Sequence, residues 1–303
     1  MPGLHQLVTT HTTRHLRRTL LGVAEQSRRP DLVIVSCDND REDVRELARA
    51  CSAEFAAGLP GGVRLVQRPS VGACAASQVR NNAVRAALAC GAAPGDSLVL
   101  LDGDCCPARD WAARHEALLA DADIVIGFRV DLSREQTDAF DEGAVRRGES
   151  PAPITTGQRS LLESRQRRYD RALLLRRIGL SWMVKPHKPK LLSANFAVRL
   201  RAWVEINGFD EEYRGYGQED DDFSRRIYKA GFRGAVGIAS AIVYHQWHET
   251  RAPGEWHASD GAARFGGPWK VRCARGLVDP MPQETPRLEW FVDGTQREVR
   301  SLA

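Results

Sequence analysis

Two aspartates on either side of a glycine are the clearest candidates for a cation site in this sequence. Asp102 and Asp104 directly follow the apolar run 97–101, so they lie on a turn at the end of a predicted buried strand. Two carboxylates at this spacing can hold a hard divalent cation. Such a cation could bridge the phosphates of a nucleoside diphosphate and neutralise it as a leaving group. The alternative interpretation is a turn with two solvated acids.

A run of four acidic residues, 219–222, is a candidate for acid–base chemistry. Because like charges repel one another, the run needs compensation. A helix N-terminus provides part of it through free N–H groups and the helix dipole. One interpretation is therefore an acidic helix start. The other, favoured by the Gly-Tyr-Gly at 215–217, is that one carboxylate points into a cleft and takes a proton from an acceptor hydroxyl.

Two histidines three positions apart, His245 and His248, follow a predicted strand at residues 235–244. Imidazole is a common metal ligand, and imidazole beside carboxylate suits Mn²⁺ better than Ca²⁺. We expect a divalent cation here, Mn²⁺ first and Mg²⁺ as the alternative. The pattern alone also fits one core histidine and one surface histidine.

The elements that position these residues follow from the periodicity of the first 130 residues. Strands are predicted at residues 4–9, 32–37, 63–67, 97–102 and 123–128. The segments between them have helical periodicity, and this alternation predicts an α/β fold with a mostly parallel central sheet flanked by helices. Ligands of such sheets bind beyond the carboxyl ends of the strands. Thr9, Asp38 and Asp102 stand at three of those ends.

The pattern changes after residue 130. Residues 145–190 contain twelve Lys or Arg against three acidic residues, although the chain of 303 residues has a formal net charge of only +4. Arg-rich helices are usually solvated faces. The alternatives are contact with an acidic or phosphorylated acceptor, or peripheral contact with an anionic membrane surface that holds a lipid-linked acceptor.

The composition excludes several classes of protein. No run of about eighteen apolar residues occurs, so we expect no transmembrane segment. The N-terminal residues lack the apolar stretch of a secretory signal, and the seven cysteines form no CxxC pair. We therefore expect a reduced, cytoplasmic protein, with an Ala- and Arg-rich composition typical of a high-GC bacterial genome. The absence of a GxGxxG excludes a NAD-binding dehydrogenase, and without a recognition motif we expect no nucleic-acid partner.

Residues 4–250 resemble the GT-A glycosyltransferases, specifically family 2, with a carboxyl half similar to the β-1,4-galactosyltransferases and chondroitin-type transferases. The shorter matches are VTTH at 8–11, VSCDN at 35–39, VRNNA at 79–83, the DxD motif at 102–104 and SANFAVR at 193–199. The most specific match is GFDE at 208–211 followed by GQEDDD at 217–222. Residues 131–190 and the chain after about 250 have no clear counterpart, and these regions are expected to decide the acceptor.

The resemblance implies a GT-A (Rossmann-like) fold and transfer with inversion from a nucleoside-diphosphate sugar. We divide the chain into a nucleotide-sugar-binding half at 1–130, an acceptor-binding and catalytic half of the same domain at 131–250, and a C-terminal tail or lid at 251–303. The positions that match donor-binding residues of the family are Thr9, Asp38, Arg80, Asp102 and Asn195. The carboxylate of Asp38 favours UDP as the nucleotide.

The resemblance also assigns the catalytic and metal-binding roles. It places acceptor contact on Glu219 and the general base on Asp220. Asp104 and His248 would hold the cation, with His245 as a further candidate, because galactosyltransferases have Met and His three apart at this point. Tryptophans in the tail, including Trp256, are interpreted as core, a sugar-stacking platform or part of a lid.

Two other functions are alternatives to a glycosyltransferase. A sugar-1-phosphate nucleotidyltransferase needs a Gly-rich loop near its N-terminus, and residues 9–14 contain no glycine. A non-catalytic nucleotide- or sugar-binding module has no need of a base, so the acidic and histidine motifs argue against it. The acceptor, whether a glycan, a lipid-linked sugar or a small molecule, and the oligomeric state are left open.

Overall fold

The computed structural model describes residues 2–69, 74–215, 217–249 and 260–302. The strands are β1 (Leu4–Thr10), β2 (Leu32–Cys37), β3 (Val63–Gln67), β4 (Ser97–Asp102), β5 (Cys105–Pro107), β6 (Ile124–Ile126), β7 (Val130–Asp131), β8 (Asn195–Arg199), β9 (Gly234–Val236), β10 (Val243–His245), β11 (Arg287–Val292) and β12 (Thr295–Ser301). The helices are α1 (Leu16–Ala24), α2 (Glu42–Glu54), α3 (Ala76–Ala89), α4 (Trp111–Leu119), α5 (Arg134–Asp138), α6 (Glu142–Arg147), α7 (Thr156–Arg177), α8 (Leu200–Glu205), α9 (Glu219–Lys229) and α10 (Asp260–Gly266), with a 3₁₀ turn at Ser181–Met183.

The large sheet has the strand order β12-β11-β3-β2-β1-β4-β8-β6-β9. All of its strands except β8 and β11 point in the same direction. The predicted α/β fold with a central sheet flanked by helices is confirmed, and β8 and β11 make that sheet mixed.

Side chains alternate between the two faces along each strand, and both faces are buried at the central strands of the large sheet. In β4, Val99 and Leu101 join the core beneath α1, α2, α4 and α7, whereas Leu98 and Leu100 join the core beneath α3, α8 and α9. With both faces covered by helices, the ends of the strands are the places where polar side chains can meet a ligand.

The predicted strand at 235–244 is two strands in two different sheets. β9 extends the large sheet beside β6, whereas β10 joins a small sheet with the order β5-β10-β7. A tight turn separates them, in which the N–H of Ala241 donates to the carbonyl of Gly237 at 2.7 Å. This turn directs β10 to β5, next to the Asp102-Gly103-Asp104 motif.

Part of the C-terminal segment extends the large sheet, because β11 pairs antiparallel with β3 and β12 follows it. The indole of Trp290 donates to the carbonyl of Gly61 at 2.9 Å and packs under the guanidinium of Arg64. Trp256 and Tyr216 lie outside the described residues. Within the described ranges, no helix is long and apolar enough to cross a bilayer.

Candidate active site

Three of the predicted metal ligands meet beyond the end of β4. Oδ2 of Asp104 is 3.1 Å from Nε2 of His248 and 3.5 Å from Nε2 of His245. One ligand atom from each of the three residues lies within 4.8 Å of the others. One carboxylate and two imidazoles fit a transition metal such as Mn²⁺, and these three residues would hold it.

The small sheet brings these ligands together. Asp104 directly precedes β5, and His245 ends β10, whose pairing with β5 sets His245 opposite Cys105. On its other side β10 pairs with β7, where Asp131 accepts a hydrogen bond from Nδ1 of His245 at 2.9 Å. A carboxylate on the far nitrogen orients the ring, as is typical of metal-binding histidines. Sequence reasoning missed Asp131, because only the pairing of β7 with β10 brings it here.

The charges of this cluster depend on one another. Burial opposes the ionisation of Asp104, but hydrogen bonds from His245 and His248 outweigh it and hold the pKa of Asp104 well below its usual value. The hydrogen bond to Asp104 raises the pKa of His248. Burial lowers the pKa of His245, but hydrogen bonds to Asp104 and Asp131 reverse the effect and raise it overall. A cation must therefore compete with protons for both imidazoles.

The predicted donor-binding residues Thr9, Asp38 and Asp102 stand at the ends of three adjacent strands. The hydroxyl of Thr9 donates to Oδ1 of Asp102 at 3.0 Å, and burial together with the charge of Asp104 raises the pKa of Asp102. Asp38 accepts hydrogen bonds from the guanidinium of Arg68 and from a backbone N–H. The strand ends thus form one polar edge, where ligands of such sheets bind.

A second group of charged residues surrounds Asp220 in the first turn of α9. Oδ2 of Asp220 accepts hydrogen bonds from the N–H of Ser193 at 3.1 Å and from its hydroxyl at 3.3 Å. Oδ1 is buried and has no hydrogen-bond partner within the described ranges. Burial raises the pKa of Asp220 to about 7, which is the range in which a general base works best at neutral pH.

Arg80 connects this group to the strand ends. Its guanidinium donates to Glu219 at 3.1 Å and to the hydroxyl of Ser193 at 2.6 Å, and it lies 4.0 Å from Oδ1 of Asp220. Burial opposes the charge of Arg80, but Asp220, Glu219 and Asp102 outweigh it and raise its pKa. One buried cation therefore acts on both Asp102 and the acids of α9.

The remaining acids of the run 219–222 have other partners, which explains how four of them coexist. Asp222 binds Arg225 at 2.8 Å and Arg226 at 2.6 Å. Asp221 is 3.3 Å from Nζ of Lys190. Asp220 and Asp221 each keep one buried oxygen with no hydrogen-bond partner among the described residues. Asp220 is the one that faces Arg80, and burial raises its pKa to about 7.

The predicted contact of Asn195 with the donor does not fit the structure. Asn195 is fully buried. Its Oδ1 accepts hydrogen bonds from Trp111 and His115, both at 2.8 Å, and its Nδ2 donates to the carbonyls of Phe128 and Ala241. No polar group of Asn195 is left for a ligand, so its role is to tie β8 to α4 and to the start of the small sheet.

Asn195→Ala is expected to lower the free energy of unfolding by about 3 kcal/mol, because it leaves buried donors and acceptors unpaired. Urea unfolding of both proteins measures the difference. Asn39→Ala, which removes a half-buried amide near the surface, is the control and should cost less than about 1 kcal/mol. A folded Asn195→Ala variant of wild-type stability would contradict the supporting role.

Parts of the chain are similar in sequence to known proteins. Residues 176–248 match the protein-family model described as the N-terminal domain of galactosyltransferase. This stretch contains Ser193, Glu219, Asp220, His245 and His248. The chain is also 28% identical over 251 residues to the chondroitin synthase of Escherichia coli, covering 76% of this chain and 32% of that protein. It thus spans about a third of the length of this relative.

Solved structures share the fold. The mannosyltransferase PcManGT from Pyrobaculum calidifontis, solved with GDP-Man and Mn²⁺, aligns with a TM-score of 0.51 at 19% identity, over 85% of this chain and 59% of that one. GalNAc-T7 with UDP, GalNAc and Mn²⁺ aligns with a TM-score of 0.53 at 14% identity, over 87% of this chain and 47% of that one. Residues 1–349 of S. aureus TarS, solved with UDP-GlcNAc, align with a TM-score of 0.51 at 14% identity, over 83% of this chain and 60% of that one.

This chain has the GT-A fold of glycosyltransferases. The predicted resemblance to GT-A glycosyltransferases is confirmed by the galactosyltransferase and chondroitin synthase matches. In this GT-A chain, the carboxyl half that matches the family contributes Asp220 and both histidines, whereas Asp102 and Asp104 come from the amino half.

Proposed function

We propose that this chain moves a sugar from a nucleoside-diphosphate sugar to an acceptor hydroxyl, with inversion and with a divalent cation. The observation that carries the proposal is the pairing of two features, connected by Asp102, on which the charges of both Asp104 and Arg80 act. One is the cluster of Asp104, His245 and His248; the other is the buried carboxyl of Asp220. GT-A neighbours were solved with GDP-Man, UDP and UDP-GlcNAc, two of them with Mn²⁺, which supports a nucleotide-sugar donor and Mn²⁺.

In this proposal each residue has a defined task. Asp220 accepts the proton of the acceptor hydroxyl on Oδ1, which has no hydrogen-bond partner among the described residues, while Ser193 holds Oδ2. The acceptor oxygen forms a bond to the anomeric carbon, and the bond from that carbon to the phosphate oxygen breaks. The nucleoside diphosphate leaves with the bonding electron pair. A cation on Asp104, His245 and His248 supplies neutralisation of the diphosphate charge. Glu219, held by Arg80, contacts the acceptor.

Asp38 supports UDP as the nucleotide. Its carboxylate stands at the end of β2, fixed by Arg68 and a backbone N–H, and a fixed acceptor of hydrogen bonds suits the imide N–H of uracil. We therefore propose a UDP-sugar as the donor, with Thr9 and Asp102 on the neighbouring strand ends contacting the same nucleotide.

A thermal-shift titration with UDP, GDP, TDP and CDP, each with Mn²⁺ and with chelator, tests the proposal. Because a ligand that binds only the folded state stabilises it, UDP with Mn²⁺ is expected to raise Tm by about 5 °C at a hundredfold excess over Kd. The same titration with UDP and chelator is expected to give almost no shift. No response to any of the four diphosphates would contradict the transferase and favour a binding module. Stabilisation by nucleoside triphosphates alone would favour a nucleotidyltransferase.

A further inference from the structure

The end of α7 and the turn that follows it carry a group of exposed apolar side chains. Leu174, Ile178, Trp182 and Met183 expose 50%, 56%, 79% and 55% of their surfaces. Leu174 and Ile178 are four residues apart and share a helix face. We call these four residues the apolar patch. Exposed apolar groups of this kind mark contacts with a partner or a membrane.

The surroundings of the apolar patch are strongly basic. Residues 171–190 contain six Lys or Arg and no acidic residue. Arg171, Arg177 and Lys185 are exposed, and none of the three has an ion-pair partner in the part of the chain that the structure describes. Lys190, in contrast, is 3.3 Å from Asp221. A partner of this surface must therefore offer both apolar material and negative charge.

The backbone that presents Trp182 is held in place by hydrogen bonds. The guanidinium of Arg176 donates to three backbone carbonyls within residues 185–188, at 2.8 to 2.9 Å, and stacks over the ring of Tyr228 at 4.5 Å. The N–H of Leu180 donates to the carbonyl of Leu175 at 2.8 Å. The exposure of Trp182 is thus a feature of an ordered turn.

We propose that the apolar patch and its exposed basic neighbours dock the protein on an anionic lipid bilayer. Tryptophan and aliphatic side chains enter the interface between headgroups and acyl chains, while lysine and arginine side chains pair with anionic headgroups. A solvated basic face would account for the arginines but not for an ordered tryptophan that is 79% exposed.

A short stretch of chain connects the apolar patch to residues that contact the acids of α9. The chain runs from the turn at 181–183 to Ser193, which binds Asp220, and Lys190 on the way binds Asp221. On the basis of the proposed function, docking therefore presents the acceptor site near the lipid headgroups. The docking itself does not require sugar transfer.

Co-sedimentation of the full chain with vesicles tests the proposal, using phosphatidylcholine alone and phosphatidylcholine mixed with phosphatidylglycerol. We expect binding to the mixed vesicles, weak binding to phosphatidylcholine alone, and a loss of binding as salt is added. The double variant Trp182→Ser/Met183→Ser is expected to lower the partition coefficient by about tenfold. The double variant Arg177→Gln/Lys185→Gln is expected to lower it by about tenfold as well.

Matched substitutions at other exposed positions control for general surface effects. Val278→Ser removes an equally exposed apolar side chain (59%), and Arg29→Gln/Arg297→Gln removes two exposed charges elsewhere. Both controls are expected to bind like the wild type.

Several outcomes would overturn the membrane proposal. One is wild-type protein that does not bind anionic vesicles, and another is binding by the patch variants that equals that of the wild type. The third is a protein that binds no vesicles but forms a dimer, which the substitutions Trp182→Ser/Met183→Ser dissociate. Nucleotide-induced stabilisation of these variants is measured separately, so failure of docking is distinguishable from failure of the proposed function.

Discussion

Asp220→Asn is expected to lower kcat for sugar transfer by about 10³-fold and to change the affinity for the donor nucleotide by less than about threefold. The amide keeps the shape of the side chain and can still accept from Ser193, but it cannot take the proton of the acceptor hydroxyl. Release of nucleoside diphosphate from the donor, followed in the presence of acceptor, gives kcat. Calorimetric titration with the nucleotide gives the affinity.

Asp221→Asn is the matched control, because Asp221 is the next residue, is also buried, and binds Lys190 instead of facing Arg80. It is expected to keep kcat within about threefold of wild type if it does not touch the reacting groups. Transfer by the Asp220→Asn variant at a rate near that of wild type would disprove the assignment of the base, whatever the control shows.

The pKa of Asp220, raised to about 7, predicts how activity and stability respond to pH. Because the base must be ionised, kcat of the wild type should rise with pH and level off above about 7. Between the ordinary aspartate pKa and about 7, the folded protein retains a proton that the unfolded chain has lost. Ionising Asp220 therefore costs the wild type stability as pH rises through this window, by at most about 1.4 kcal/mol per pH unit.

The Asp220→Asn variant lacks this titration, so its Tm relative to wild type should rise from pH 5 to pH 8. The same measurement shows that the variant is folded. A Tm difference that is flat across this range would show that the carboxyl titrates near its ordinary pKa.

Asp104→Ala is expected to abolish metal-dependent nucleotide binding and to lower transfer by about 10³-fold, since a bound cation contributes several kcal/mol to charge stabilisation. Asp104 is the residue that both His245 and His248 approach, so its removal leaves two imidazoles without the carboxylate between them. The measurement is the affinity for UDP with Mn²⁺ and with chelator, in the wild type and in the variant.

Substitutions of two other carboxylates are expected to have a smaller effect on metal binding and no effect, respectively. Asp131→Asn retains all three ligands but removes the acceptor that orients His245, and a loss of about 10- to 100-fold in Mn²⁺ affinity is expected. Asp121→Asn changes an exposed acid elsewhere and should change nothing. Equal affinity of the wild type for UDP with Mn²⁺ and with chelator would rule out the metal role of all three ligands.

Local patterns in the sequence were sufficient to predict several strands, one helix start and a pair of candidate metal ligands. The predicted strands at 32–37, 63–67 and 97–102 have those bounds, because strands buried on both faces of a sheet are rich in apolar and β-branched residues. The acidic run at 219–222 begins a helix as predicted, since the helix N-terminus favours anions. The sequence also suggested that His245 and His248 could bind one cation, and their ring centroids are 5.2 Å apart.

Features that depend on non-local pairing were out of reach of one sequence. The break of the predicted strand 235–244 into β9 and β10, and the position of Asp131, follow from strand pairing that no local periodicity encodes. The same is true of β11 and β12, which complete the edge of the large sheet beside β3.

Asn195 shows the same division for a single residue. The sequence by itself predicted a polar residue within a strand of the SANFAVR segment at 193–199, and motif resemblance made it a donor contact. Only the tertiary structure decided where the amide points, because its partners Trp111, His115, Phe128 and Ala241 come from three separate stretches of chain. Residue type and spacing thus determined the chemistry available to this protein. Long-range packing decided which side chains are left free to use it, because a buried polar group must first satisfy its own hydrogen bonds.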